Sequence, residues 1–362
     1  MPESGVVLLN EYATEAMSYW GLKPESWRVV GFVTSGLEGV SRPIMQIADA
    51  RYVLRRQPDD LTENDTLFRH AFMRHLTSHG LPVPELLAQP SGHTYAVTTE
   101  GIYELQAWRD GQPYVTDGPA ADARLEEAAA TLGRLHQASA DFQWKPHLWP
   151  EERSDAALAQ AYCELIRERG QSGKLPERVA NGLVRVAEAA RVRLDLAVDA
   201  LDGMPGPPQL HIHGDYHAHN LAFGPDGVSA IYDLDAARWD ARIAELAYSL
   251  LYFTGVRWDE QPMVTPPLVD DGLDVPRVQR FLRAYGDEAP PAEGEARLLA
   301  DALALHFPVV FANGVAEDLI FIEDYAGPPN ETDALARLLW ADSFWLWLDR
   351  NRDTLAEAWE QA

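Results

Sequence analysis

His211-Ile212-His213-Gly214-Asp215-Tyr216-His217-Ala218-His219-Asn220, followed closely by Ile231-Tyr232-Asp233-Leu234-Asp235, is the stretch on which the reading of this chain turns. Asp215 and Asn220 lie five positions apart, and Asp233 lies eighteen after Asp215. That spacing sets one carboxylate beside two further oxygen donors, the arrangement that transfer of a phosphoryl group to an alcohol requires. Asn220 to Phe223 and Val228 to Asp233 read as short apolar strands around Gly224-Pro225-Asp226-Gly227, a strong turn signal. The fold-back brings Asp233 close to Asn220. The two suit a magnesium ion, which prefers hard oxygen ligands and is held by few protein groups. Asp215 is left to orient the acceptor hydroxyl and take its proton.

The histidines admit other roles. His213, two residues before the proposed base, is a candidate catalytic residue whose imidazole can also brace the loop by bonding backbone. His217 and Asp235 are candidates for substrate or second-metal contacts, Asp235 being equally readable as an outward-facing acid. His211-x-His213-x-Asp215 with His217 nearby also has the look of a binuclear zinc hydrolase motif. In that pattern histidine follows the aspartate directly, whereas Tyr216 intervenes here, and Asn220 and Asp233 are left without a task. The plainest alternative, polar residues that merely satisfy loop carbonyls and helix ends, leaves five groups at functional spacing unexplained.

The 362 residues exceed one ordinary core, and 46% hydrophobic content is ample for burial, so two domains are expected. The first twenty residues carry Glu3, Glu11 and Glu15 but no Lys or Arg, so no targeting peptide is read there and a cytoplasmic location is expected. No uncharged apolar run reaches membrane-spanning length; His306 and Pro308 interrupt the nearest, Ala302 to Ala312. Against 30 basic residues stand 56 acidic ones, a formal charge of −26 that repels nucleic acid and anionic membranes. Neither is expected as a partner. Cys163 is the sole cysteine, so there is no internal disulfide and no cysteine zinc site. Lys23, Lys145 and Lys174 are the only lysines.

Outward from the motif the chain divides by pattern. Trp27 to Val33, Ile44 to Ile47 and Arg51 to Arg56 read as strands, the first two joined by the loop Thr34 to Ser41. Gly36 and Ser41 of that loop are candidate phosphate contacts, since glycine lets backbone amides approach an anion. Leu67, Phe68, Ala71, Phe72 and Leu76 have helical spacing behind a Thr62-x-x-Asp65 cap, with Gly80 as the stop. Tyr95 to Thr98 and Ile102 to Ala107 alternate as strands. From Ala121 onward helical patterns dominate: Asp122 to Ser139, Ser154 to Arg169, Pro176 to Leu201, Ala241 to Phe253, Val275 to Tyr285, Glu293 to Asn313 and Glu331 to Arg350. Trp340, Trp345 and Trp347 are read as helix packing.

In this order the chain resembles the aminoglycoside phosphotransferase superfamily, which also holds choline kinases and type II homoserine kinases. His213-Gly214-Asp215-x-His217-x-x-Asn220 is similar to its catalytic loop, Ile231 to Asp235 to its metal-binding strand, and Arg242 to Ala247 to the turn and helix that follow. The Gly-Leu-Pro-Val-Pro ending at Pro84 and Gly133-x-x-His136-Gln137-Ala138 look most like the homoserine-kinase branch. The resemblance implies an α+β, protein-kinase-like, two-lobed fold. Residues 1–107 would form a nucleotide-binding lobe, a small antiparallel sheet with one crossing helix. Residues 108–362 would form a larger helical lobe with the catalytic loop and substrate site. It implies ATP or GTP with magnesium as cofactors, an adenine hinge at Gln106 and Trp108, and a small, amine-bearing metabolite or antibiotic as acceptor. Arg55 stands where many relatives place a phosphate-binding lysine, and the helix offers Arg69 and His70 where its glutamate partner is usual. A catalytically silent, nucleotide-binding relative would explain those two departures, but would have no use for the base and both metal ligands. Neither the acceptor nor the oligomeric state is legible.

Overall fold

The structure is a computed structural model that describes residues 13–35, 40–147, 155–202, 207–257, 267–315 and 331–362. It divides into two compact units, residues 1–112 with 229–232, and residues 113–228 with 233–362.

The first unit is built on five strands: β1 (Trp27–Ser35), β2 (Val40–Ile47), β3 (Ala50–Arg56), β4 (Tyr95–Thr98) and β5 (Gly101–Ala107). Their order is β1-β2-β3-β5-β4, and every neighbouring pair is antiparallel. The first two strands run further than their apolar pattern. Ser41 lies in β2 opposite Thr34, past a register shift at Val29/Gly31. One face of the sheet packs Met45, Leu54 and Leu105 against Met17 and Trp20, which precede β1. Helix α1 (Glu63–Ser78) opens with a complete capping box: Asp65 N–H donates to Thr62 Oγ1 and Thr62 N–H to Asp65 Oδ2. It stops at His79, with Gly80 left-handed at φ 81°. Phe68, Phe72, Met73 and Leu76 are buried, yet so are Arg69 and His70. Those two polar residues tie the helix to β5. The short segment from a later part of the chain completes the unit, with Ile231 N–H donating to Pro82 O at 3.0 Å and Tyr232 OH to Arg109 O at 3.1 Å.

The second unit contains α2 (Ala121–Ala140), α3 (Asp155–Gln171), α4 (Glu177–Asp202), α5 (Arg242–Gly255), α6 (Val275–Glu288), α7 (Leu299–Val315) and α8 (Glu331–Glu360). In it β6 (Gln209–Ile212) pairs with β9 (Arg238–Ala241), and β7 (Leu221–Gly224) precedes β8 (Gly227–Ile231), whose last three residues belong to the first unit. Helices α3 and α4 pack together, as do α2 and α6, and α7 and α8. The α2–α6 approach is close because a Cβ at Gly133 would lie 2.9 Å from Tyr285 O, a distance only glycine accommodates. Phe307 and Phe344 stack at 4.4 Å between rings in the helical core, with Trp340 tilted against both. Helix α8 runs ten residues beyond the apolar pattern that ends at Arg350, because Leu355, Ala356 and Trp359 bury its last turns. No helix among the described residues is long and apolar enough to cross a membrane.

Candidate active site

Strand β6 delivers the chain into the motif. Its register against β9 pairs Ile212 with Arg238, so the residues after Ile212 leave the sheet at a fixed point. Gly214 has φ 86°, and a Cβ there would sit 2.0 Å from Ala236 O. The loop is thus pressed directly on the turn that follows Asp233. Arg238 spans the same contact, with Nη1 donating to Gly214 O and Ala236 O at 3.5 and 3.4 Å.

From the other side Glu245, in the first turn of α5, grips the loop backbone. Its carboxylate accepts His213 N–H at 3.1 Å and Gly214 N–H at 2.5 Å, and His136 Nε2 lies 2.9 Å away. Full burial by itself would raise this carboxyl, but the bond and charge of His136, then His213 and the Gly214 amide, hold it below its usual range. His136 is oriented through Nδ1 by Tyr285 OH at 2.8 Å, one turn beyond the Gly133 contact. Tyr216 OH donates to Ala128 O, and Ser249 Oγ donates to Tyr216 O, so the loop is pinned to α2 and α5 as well.

Asp215 is held at every polar atom. Its N–H donates to His213 Nδ1 at 3.2 Å. Tyr248 OH donates to Oδ1 at 2.5 Å and Asn220 Nδ2 to Oδ2 at 3.0 Å, with His217 Nε2 3.4 Å from Oδ2. Loss of hydration opposes ionisation, but His217, Tyr248 and His213 outweigh it and hold the carboxyl down to about 2. The side chain nevertheless keeps 36% of its surface exposed. Asn220 also donates to Asp215 O at 2.9 Å. With its nitrogen committed there, the amide oxygen is the atom left to meet a cation.

Asp233 lies outside the strand its sequence pattern suggests. Strand β8 ends at Ile231, and Asp233 takes a left-handed conformation (φ 58°, ψ 64°) that starts a tight turn over Leu234–Ala236, which contains Asp235. Such a backbone costs on the order of 1–3 kcal/mol in a residue other than glycine and gathers at sites where a side chain must be aimed. An asparagine oxygen and one carboxylate on touching loops fit a magnesium ion, which keeps most of its own waters.

The zinc alternative does not fit. A neutral imidazole has one lone pair. His213 spends it on the Asp215 amide, and His217 Nδ1 accepts the His219 amide at 3.2 Å. The His211 ring stands edge-on to Phe142 and Trp239, with burial and then His147 pushing its pKa down to about 4. Among the described residues no three His, Cys, Asp or Glu side chains are placed to hold one ion.

In the first unit Arg55 is 3% exposed, and its Nη1 lies 3.4 Å from Glu104 Oε1. Glu104, wholly buried in β5, also bonds Arg69, His70 Nε2 at 2.8 Å, Gln57 Nε2 at 3.0 Å and Gln106 Nε2 at 2.6 Å. Burial alone would raise Glu104; Arg69, His70 and Arg55 reverse that and keep it well below the carboxylate range. Helix and sheet are thus joined at one buried acid: α1 supplies Arg69 and His70, β3 supplies Arg55, and β5 supplies Glu104. Trp108 donates through Nε1 to Asp110 Oδ1 at 2.8 Å, with Arg51 over its ring. Ser41 is exposed, and Gly36 lies outside the described residues.

Two contributors escape the sequence reading. Glu104 is a lone acid in the apolar run Ile102 to Ala107, a signal that a buried cation faces it. Tyr248 carries no motif.

Comparisons with known proteins bear on the family and the fold. A homoserine kinase of Paraburkholderia phymatum is 26% identical over 307 residues, covering 80% of this chain and 84% of that protein. An aminoglycoside phosphotransferase from Alicyclobacillus acidocaldarius superposes with TM-score 0.60 at 14% identity, covering 96% of this chain and 95% of its own. An amicoumacin kinase solved with AMP-PNP and Ca2+ superposes with TM-score 0.58 at 15% identity over 99% and 94%. Both solved structures share the fold. The model of the phosphotransferase enzyme family matches residues 38–299, most of the chain, and the protein belongs to that family.

Proposed function

We propose that the chain transfers the γ-phosphate of ATP or GTP to a hydroxyl of a small amino alcohol, with homoserine the first acceptor to test. Asp215 is the base: it orients the acceptor hydroxyl and takes its proton as the phosphorus–oxygen bond forms. Its low proton affinity suits a loose transition state, in which the hydroxyl keeps its proton until transfer is well advanced. Asn220, through its amide oxygen, and Asp233 would hold a magnesium ion that neutralises phosphate charge. His213 and Glu245 keep the loop rigid, His217 and Asp235 stand beside the acceptor, and Arg55 serves the phosphates with Glu104 as its orienting acid. Gly36 and Ser41 are assigned to the phosphates as well, and Gln106 and Trp108 to the adenine.

The observation that carries this reading is the restraint of Asp215 from both carboxylate oxygens, on a loop that touches the turn beginning at Asp233. The choice of acceptor class is supported by the homoserine kinase relatives, each 25–26% identical. The test is an ADP-release screen over amino alcohols, sugars, nucleosides and aminoglycosides with each nucleotide, and Asp215→Asn as control. Turnover of one acceptor, lost by several orders of magnitude in Asp215→Asn, is expected. Normal turnover by Asp215→Asn would remove the assignment of the base.

A further inference from the structure

Helix α5 carries two residues that address the catalytic loop from the same side. Glu245 and Tyr248 are three positions apart, so their side chains share one helical face. Glu245 takes the backbone amides of His213 and Gly214, and Tyr248 OH reaches Oδ1 of the next residue, Asp215, at 2.5 Å. One face thereby sets both the path of the loop and the attitude of its working side chain.

The second contact matters because an aspartate carboxylate turns easily about its terminal torsion. Asn220 Nδ2 donates to Oδ2, with His217 Nε2 3.4 Å from the same oxygen, and contacts at one oxygen leave that rotation open. Tyr248 closes it from the other oxygen. The tyrosine is itself confined, its ring 4.8 Å from Tyr252 and 6.0 Å from His306. Burial and then the Asp215 charge raise its hydroxyl well above the usual phenol range, so it remains a proton donor to the carboxylate. Such charge-assisted contacts are short and directional. With Tyr248 on Oδ1 and Asn220 on Oδ2, the plane of the Asp215 carboxylate is fixed from both oxygens.

We propose that Tyr248 is a positioning residue for phosphoryl transfer, holding the Asp215 carboxylate in the single orientation that receives the acceptor hydroxyl. The inference rests on the kinase reading above. The experiment compares wild type, Tyr248→Phe, Asp215→Ala and the double variant, using the acceptor found by ADP release. It measures kcat, acceptor KM, nucleotide Kd by calorimetry, and Tm. Phenylalanine keeps the ring and removes only the donor.

The expected result is a fall in kcat of about tenfold to a hundredfold, the scale of a lost preorganising contact, with nucleotide Kd and Tm unchanged. Once Asp215 is alanine, Tyr248→Phe should cause no further loss. Unchanged kcat in Tyr248→Phe beside a dead Asp215→Ala would overturn this inference and leave the kinase reading intact. So would a parallel loss of kcat, nucleotide affinity and Tm, which marks a general structural role, or an equal loss in the Asp215→Ala background. A wild type inert toward every acceptor would overturn the kinase reading and this inference with it.

Discussion

His136 and Glu245, on helices α2 and α5, meet at 2.9 Å between Nε2 and Oε2, and that same carboxylate carries the amide hydrogens of His213 and Gly214 in the loop before Asp215. The loop is hung from a buried acid that a second helix keeps in place. Removing the acid leaves a buried imidazole and two backbone donors without their acceptor. Glu245→Ala is therefore expected to lose about 3–5 kcal/mol in urea unfolding, as for other broken buried pairs. A loss within about 0.5 kcal/mol, the range of ordinary surface substitutions, would show that the carboxylate holds nothing.

Glu104 supplies an acid-sensitive prediction for the other unit. Its folded-state pKa lies well below the ordinary glutamate value, so its contribution is complete above about pH 4.3 and fades as pH falls through the folded pKa. Wild-type urea midpoints should fall on acidification below that value. Glu104→Leu should be less stable at neutral pH, by about 3–5 kcal/mol, because Arg69 and Arg55 lose their shared counter-charge. Its midpoint should also fall less steeply in acid. Equal acid sensitivity in both proteins would place the titrating group elsewhere.

Asp215 should remain ionised far below the ordinary aspartate value. Site-resolved carboxyl NMR is expected to find its midpoint near 2 instead of the usual 3.8. Since the folded value is the lower one, any stability it adds is present above 3.8 and disappears as pH approaches 2. A midpoint at or above the usual value would mean that Tyr248, His217 and His213 do not hold the carboxylate as described.

Gly214 tests the contact between the two halves of the motif. With φ 86° and Ala236 O in the space a Cβ would need, Gly214→Ala must displace either the loop or the turn after Asp233. Turnover should drop by about a hundredfold, the cost of misplacing reacting groups by around 1 Å. Wild-type kcat in that variant would rule out a working contact at this point.

Local chemistry explains what could be read in advance. Helix α1 announces itself because Thr62, Asp65 and Gly80 act within a few residues of one another. The Asp215 to Asn220 spacing is legible for the same reason. Strand β2 was harder: Pro43 lies inside it and a register shift faces it, so its first residues lack the alternating pattern and Ser41 reads as loop. Asp233 looked like the end of a strand because the apolar run continues to Tyr232, and a single left-handed residue leaves no compositional trace. Glu104 and Tyr248 were not legible as site residues. Their meaning comes from partners 35 and 33 positions away, and only the folded chain brings those together.

The piece Ser229–Tyr232 belongs with residues 1–112, although more than a hundred positions separate them in the chain. Ser229 Oγ, Tyr232 OH and the Ile231 amide all donate to main-chain carbonyls of that region. The amino-terminal unit of this chain therefore cannot be exchanged by a single cut. A chimaera joined only near residue 112 would inherit a mismatched insert, and a faithful exchange must transplant four downstream residues along with the amino-terminal part.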